Sequence, residues 1–226
     1  MAPESVEQAR AEYRERYISR RYSGPFHLAT TVSISLLIAL ISAMMLEKVS
    51  PLEWLAIPLT FLFANLCEYL AHRGPMHNKT RFLGDIFRRH TVEHHAFFTD
   101  EAAAYDTTRD FKAILFPPIM LLVFNGFLTL PVGALLYFQI SPNVSFLFVL
   151  TAILYFLNYE LLHLAYHMDP QTRTGRLAIV ERLRGHHIRH HDTSLMSRHN
   201  FNITYPICDH LFGTVYKGSD PSDRPD

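Results

Sequence analysis

The feature that most constrains this chain is a run of 47 residues, Ala113 to Tyr159, without a single Asp, Glu, Lys or Arg. As a helix it would be roughly 70 Å long, whereas one crossing of a hydrocarbon core takes about 20 residues. Two crossings and a turn account for it, with Pro142-Asn143 as the expected turn. Residues 113–138 carry Pro117, Pro118, Gly126, Pro131 and Gly133. They read as one kinked crossing, because each half alone is about 13 residues and too short to span. The next crossing is 144–166. Upstream, 27–46 holds none of the four charged types, and 52–71 holds only Glu53 and Glu68, one near each end. The expectation is an all-α, four-crossing integral membrane helix bundle in one domain, 1–226, with a histidine-rich helical cap.

Sidedness follows from the cations. Of 21 Lys and Arg, five precede the first crossing, seven lie between Arg73 and Lys112, and eight follow from Arg173 onward, all on one side. Only Lys48 falls on the other, so the positive-inside rule makes the common side cytoplasmic, together with both termini. Segments 72–112 and 167–217 then form the cytoplasmic cap. Residues 1–26 form an N-terminal segment in which Ala9 to Tyr22 alternates Arg and Glu with Tyr13, Tyr17 and Ile18. It reads equally as an interfacial helix or a solvated one. Residues 218–226 read as a disordered tail. The 21 cations cancel 21 acids, leaving no basic field for nucleic acid. Cys67 and Cys208 form no metal-binding pair.

Fourteen histidines remain to be explained, and eleven fall into four clusters at or just beyond the cytoplasmic ends of crossings: His72 and His77; His90, His94 and His95; His163 and His167; His186, His187, His190 and His191. On a helix, His90 and His94 share a face with His95 beside them, and His163/His167 and His187/His190/His191 repeat that geometry. His72 and His77, five apart, would diverge on a regular helix, but Gly74-Pro75 between them can turn His77 back. Imidazole binds a metal through one nitrogen while the other needs an acceptor. Glu68 and Glu160, four and three residues before His72 and His163, are candidates to orient those rings, with charge balancing at the interface as the equal alternative. His27, His199 and His210 lie outside the clusters and read as interfacial or hydrogen-bonded residues.

The patterns HxxxxH (His72 to His77), HxxxHH (His90, His94, His95), HxxxH (His163, His167) and HxxHH (His187, His190, His191) resemble the membrane-bound fatty acid hydroxylase superfamily. Glu68-Tyr69, Phe116-Pro117-Pro118 and Asp209-His210-Leu211-Phe212-Gly213-Thr214 resemble further signatures of it, and the fatty acid 2-hydroxylase branch is the most similar. The resemblance runs from Glu68 to Thr214. This chain differs in having Cys208 where Trp is usual, a longer loop from Ala96 to Lys112, and His186, which makes the last box ambiguous and its own role as a ligand uncertain.

The resemblance implies a dinuclear iron centre held by the ten box histidines, with zinc able to substitute, and Asp209 joins Glu68 and Glu160 as a supporting residue. Dioxygen would be the co-substrate and two electrons would come from a separate donor protein, since no haem, flavin or nicotinamide fingerprint is present. Ten imidazoles suit two metals at four or five each. Because the clusters sit where the crossings meet the cytoplasm, the expected reaction is hydroxylation of a membrane lipid acyl chain near its polar head, with Arg73, Arg89, Arg109 and Lys112 as candidates to hold that head and interfacial anchoring as the more common role for each. Sterol or carotenoid oxidation is the alternative within the superfamily. The C-terminus carries no retrieval tetrapeptide and the loops are short, which favours a bacterial inner membrane over the endoplasmic reticulum. Outside the superfamily, His90-Thr91-Val92-Glu93-His94 reads as HxxEH, the motif of an inverted zinc peptidase with Glu93 as base, and the clusters could serve a metal transporter or sensor.

Overall fold

The computed structural model describes residues 5–218, so most of the expected tail 218–226 and the first four residues lie outside the described residues. The described residues form helices joined by loops, with no strand among them. Four helical runs are long and apolar enough to cross a membrane: Gly24–Met44, Glu53–Met76, Thr108–Gln139 and Pro142–Tyr166. They match the four expected crossings to within a few residues at most ends. The turn before the fourth comes slightly earlier than expected, at Ile140–Ser141. Pro142 opens the next helix, where its missing N–H costs nothing, and Ser141 Oγ caps it by accepting the Val144 N–H at 3.2 Å.

The described residues form two compact units interleaved in sequence, one from those in 25–64 and 116–161 and the other from those in 1–24, 65–115 and 162–226. In the first, Ala39, Leu121 and Ile153 are buried together, with Ile38, Leu150 and Phe156 packed against them. Large apolar side chains such as Leu37, Leu40, Leu59, Leu122 and Phe138 are exposed on it. So much apolar surface suits a hydrocarbon solvent and not water. One group of polar contacts closes a loop end: Asn143 Nδ2 donates to the Glu47 carbonyl at 2.7 Å and to Glu53 Oε2 at 3.2 Å, and Ser141 Oγ donates to Glu53 Oε1 at 2.6 Å.

The kink expected in the third run is an extended break. Leu115 and Pro117 have ψ of 140° and 141°, and Pro117 and Pro118 have no N–H to continue a helix. A broken helix in an apolar medium must satisfy its freed backbone groups locally. The Phe116 N–H donates to the Glu160 carboxylate at 3.1 Å, and the Phe116 carbonyl accepts from His27 Nε2 at 2.9 Å. Glu160 thus serves the break in the third run, a task its spacing from His163 did not suggest. His27 is the hydrogen-bonded residue expected of it.

The second unit holds every box histidine. Its N-terminal helix, Val6–Tyr17, is capped by Ser5 and buries Ala9, Arg10 and Tyr13. Arg10 and Tyr13 reach the 97–112 segment: Tyr13 Oη donates to the Lys112 carbonyl at 3.1 Å. Gly24 ends this segment, and any Cβ there would lie 1.8 Å from the Thr108 carbonyl oxygen. The helix Ile207–Phe212 ends at Gly213 with φ +70°, a left-handed cap that glycine adopts without strain.

Candidate metal centre

Ten buried histidines converge into two groups of five. His72, His77, His90, His95 and His190 form one and His94, His163, His167, His187 and His191 the other. Within each group the candidate ligand nitrogens all lie within 4.8 Å of one another. The groups adjoin, with the rings of His95 and His191 stacked at 4.4 Å. All ten box histidines are brought together. His186 belongs to neither group and donates to Asp209 at 3.0 Å.

The division departs from simple helical spacing. On α-helical backbone, His163/His167 and His187/His191 fall four apart in one group, as expected. His90 and His94, also four apart, are separated. Residues Arg88–His94 form a π-helical turn in which the His95 N–H bonds to the His90 carbonyl, which brings His95 to the side of His90 and frees His94 for the second group. His72 and His77 are joined by the break expected at Gly74-Pro75, where Gly74 has φ −88° and ψ −106°. The rings of His72 and His77 lie 5.0 Å apart. His190 crosses into the first group as His94 crosses into the second.

Protonation follows from the partners. A carbonyl only accepts, so an imidazole nitrogen facing one must carry the proton. The Nδ1 atoms of His72, His190, His94, His167 and His191 face the carbonyls of Phe201, His199, Ala113, Ala103 and Phe98. Thr91 Oγ1 donates to the Met76 carbonyl at 2.5 Å and therefore accepts from His77 Nδ1 at 3.3 Å. His77 and His190 then present bare Nε2 lone pairs to each other at 2.9 Å. Two lone pairs at that distance repel unless a cation lies between them. Burial reinforces this state, lowering His77 to about 3 and His190 to about 4. It also drives His90, His94, His95, His167, His187 and His191 well below the ordinary imidazole range, mainly by desolvation and then by their neighbouring imidazoles. Neutral, inward-facing imidazoles, five of them with the far nitrogen tied to a backbone carbonyl, form the kind of donor set a transition metal requires.

The carboxylates act one step further out than their spacing suggested. The acceptor at His72 Nδ1 is the Phe201 carbonyl, and Glu68 instead holds the loop that carries it. Glu68 accepts from the Ile203 N–H, the Thr204 N–H at 2.9 Å and Thr204 Oγ1 at 2.6 Å. Asp209, fully buried, accepts from the Phe201 N–H at 2.9 Å, the Asn202 N–H at 2.7 Å, Thr214 Oγ1 at 2.6 Å and His186. The orienting carbonyls of Phe98, Ala103, Ala113, His199 and Phe201 carry no side-chain signature and were not legible in the sequence.

The cation candidates are placed as follows. Arg73 donates to Tyr69 Oη at 2.9 Å, Arg109 donates to the Ser19 carbonyl at 3.0 Å, Arg89 reaches the Lys112 carbonyl at 3.5 Å, and Lys112 lies over the Tyr22 ring. In the HxxEH reading His90 and His94 must share one zinc with Glu93 free as base. Here they belong to different groups, and Glu93 is paired with Arg88, so the peptidase arrangement is not formed.

No curated protein matches the chain. A solved structure described as full-length scs7p, with only the hydroxylase domain visible, is similar to it with a TM-score of 0.61 at 16% identity. The match covers 85% of this chain and 67% of that one; at such identity the likeness is one of fold. The fatty acid hydroxylase family model matches residues 57–214, a span that includes all ten converging histidines. The chain belongs to the fatty acid hydroxylase family.

Proposed function

We propose that this protein is a membrane hydroxylase that binds two iron ions, one in each histidine group, and hydroxylates a lipid acyl chain close to its polar head. The observation that carries the reading is the paired set of five buried imidazoles, with bare Nε2 atoms facing inward at 2.9 Å in the His77–His190 pair. Bound iron would supply two-electron activation of dioxygen, so that a C–H bond, dioxygen, two electrons and two protons yield C–OH and water. The chain's own residues do the rest. His72, His77, His90, His95 and His190 would hold one ion, and His94, His163, His167, His187 and His191 the other. The carbonyls of Phe201, His199, Ala113, Ala103 and Phe98 fix which nitrogen of five of these rings is free. Burial of all ten limits water at the centre.

The Lys and Arg distribution supports a cytoplasmic location for the histidine groups. A lipid with a polar head cannot bury that head without partners, so carbons next to the head are the ones expected at a centre near the membrane boundary. The electrons would come from a separate protein, and sterol or carotenoid oxidation is the competing substrate class. The test is to purify the protein from iron-supplied cells, measure its metal content, and feed lipids to cells under isotopically labelled dioxygen. About two irons per chain and labelled oxygen near the acyl head are expected. One zinc per chain, or metal flux in proteoliposomes without oxygen consumption, would overturn the reading, and oxygen placed mid-chain or on a ring would overturn the substrate.

A further inference from the structure

Arg10 lies outside the span matched by the family model, yet it is among the most heavily bonded side chains of the second unit. It is 8% exposed and its whole guanidinium is engaged by one loop. Nε donates to the Phe97 carbonyl at 2.9 Å, Nη2 to the carbonyls of Ala102 at 2.6 Å and Ala104 at 2.9 Å, and Nη1 to Asp106 at 3.1 Å. These contacts bracket two carbonyls that serve the second histidine group: Phe98 accepts from His191 Nδ1 at 2.6 Å and Ala103 from His167 Nδ1 at 2.7 Å. The same loop is tied back to that group by the Tyr105 N–H, which donates to the His167 carbonyl at 2.9 Å. This loop is part of the Ala96–Lys112 segment. It has little regular structure between Phe98 and Thr107, so its carbonyls need an external donor to hold their direction.

We infer that Arg10 is a positioning residue for the second metal: through one guanidinium it fixes the two carbonyls that set the tautomer and orientation of His167 and His191. The inference rests on the two-metal reading above. Arg14, on the same helix, provides the contrast. It bonds Asp110 at 2.8 Å and Asp106 at 2.6 Å and lies over the Phe97 ring, with these hydrogen bonds going to carboxylates and not to the Phe97, Ala102 or Ala104 carbonyls. Loss of Arg14 weakens helix docking without releasing the two orienting carbonyls.

The experiment measures metal per chain in detergent-purified protein during titration with a competing chelator, for wild type, Arg10→Met, Arg10→Lys and Arg14→Met, each checked for helical content and a monodisperse elution profile. The wild type should hold two metals. Arg10→Met should lose one of them with an affinity about tenfold to a hundredfold weaker, the usual scale for removing support around a metal ligand, while the other metal is unchanged. Arg14→Met should keep both. Should Arg10→Met fail to fold, Arg10→Lys answers the question, because a single ammonium cannot span carbonyls that a guanidinium fork reaches together. In a His163→Ala background, where the second metal is already lost, Arg10→Met should leave retention of the first unchanged. A wild type holding two metals beside folded Arg10 variants that also hold two at unchanged affinity overturns the Arg10 role alone. Loss of both metals equally in those variants overturns it too, because that is general loosening. A wild type that holds no metal overturns the metal reading itself and this inference with it.

Discussion

Replacing Asp209 by Asn keeps the shape of a fully buried side chain and removes one acceptor. Oδ1 takes the Phe201 N–H and Thr214 Oγ1, while Oδ2 takes the Asn202 N–H and His186 Nε2. The new amide NH2 must replace one oxygen. At the Oδ1 position it faces the Phe201 N–H, although the Thr214 hydroxyl can rotate to accept. At Oδ2 it faces the Asn202 N–H, although His186 can change tautomer. One backbone N–H is left against a donor either way, at about 1–3 kcal/mol, and the remaining bonds lose their charge assistance, so the total is about 2–4 kcal/mol. At about 2–4 °C per kcal/mol for a chain of this size, the melting temperature should drop by roughly 5–15 °C in a detergent thermal-unfolding assay. The Phe201 carbonyl is the acceptor for His72 Nδ1, so affinity for the first metal should fall with it. Burial pushes the Asp209 carboxyl up but is outweighed by His186, Thr214 and the Asn202 and Phe201 N–H groups, which hold it below the usual range. Its contribution is therefore complete above the unfolded pKa of about 3.9 and disappears as pH falls through the lower folded value, where wild type and variant should converge. An Asp209→Asn protein melting within 1 °C of wild type at pH 7 refutes the reasoning.

Alanine at His95 or at His163 should each reduce the metal content from two to one per chain and abolish turnover while helical content is kept. Either variant retaining both metals would remove that residue from its group. In the metal-free protein, His77 and His190 are held at about 3 and about 4 against about 6.5 when unfolded, so the unfolded chain takes up protons first. Stability should be level above pH 6.5 and fall between pH 6.5 and 4 by on the order of 1 kcal/mol per pH unit for each histidine, and an unfolding midpoint that stays flat over that range would contradict it. Gly24→Ala places a Cβ 1.8 Å from the Thr108 carbonyl oxygen and should destabilise by about 1–3 kcal/mol or more, the scale of forced backbone shifts; wild-type thermal stability would show that the contact relaxes freely. Cysteines placed at positions 80 and 170 should be labelled from the same face of the membrane, and labelling from opposite faces would defeat the proposed topology.

The helical class and the four apolar runs were legible because charge exclusion over about 20 residues is a one-dimensional property. That the ten box histidines would gather was legible for a similar reason, since they stand in short clusters at or just beyond the ends of the apolar runs. What the sequence concealed was the hydrogen bonding that runs through backbone groups. The roles of Glu68 and Glu160 were sought at the nearest ring by helical spacing, but both carboxylates also satisfy N–H groups of non-helical backbone: Ile203 and Thr204 in the loop before Ile207–Phe212 for one, Phe116 at the break in the third run for the other. Arg10 gave no signal either, because its partners are carbonyls 87 or more residues away. In an Arg/Glu-alternating helix it was indistinguishable from its solvated neighbours.

Backbone geometry also explains how one chain can feed two groups from so few elements. On an α-helix each residue advances about 100°, so a residue five positions on lies about 140° away and one four positions on about 40° away. A helix carrying His90, His94 and His95 in α form would hold His90 and His94 together and turn His95 aside. With i→i+5 bonding each residue advances about 80°, so His94 and His95 come to lie on either side of His90, each within about 50° of it. That is the arrangement observed, with His90 and His95 in the first group and His94 in the second. The last box needs no such turn: His187 and His191 stay together at α spacing, and His190, one residue short of that repeat, points to the other group. An insertion or deletion within residues 88–95 should therefore be far more damaging than a substitution of the exposed Val92, because it exchanges the group to which each ring belongs, whereas Val92→Ala alters none of them.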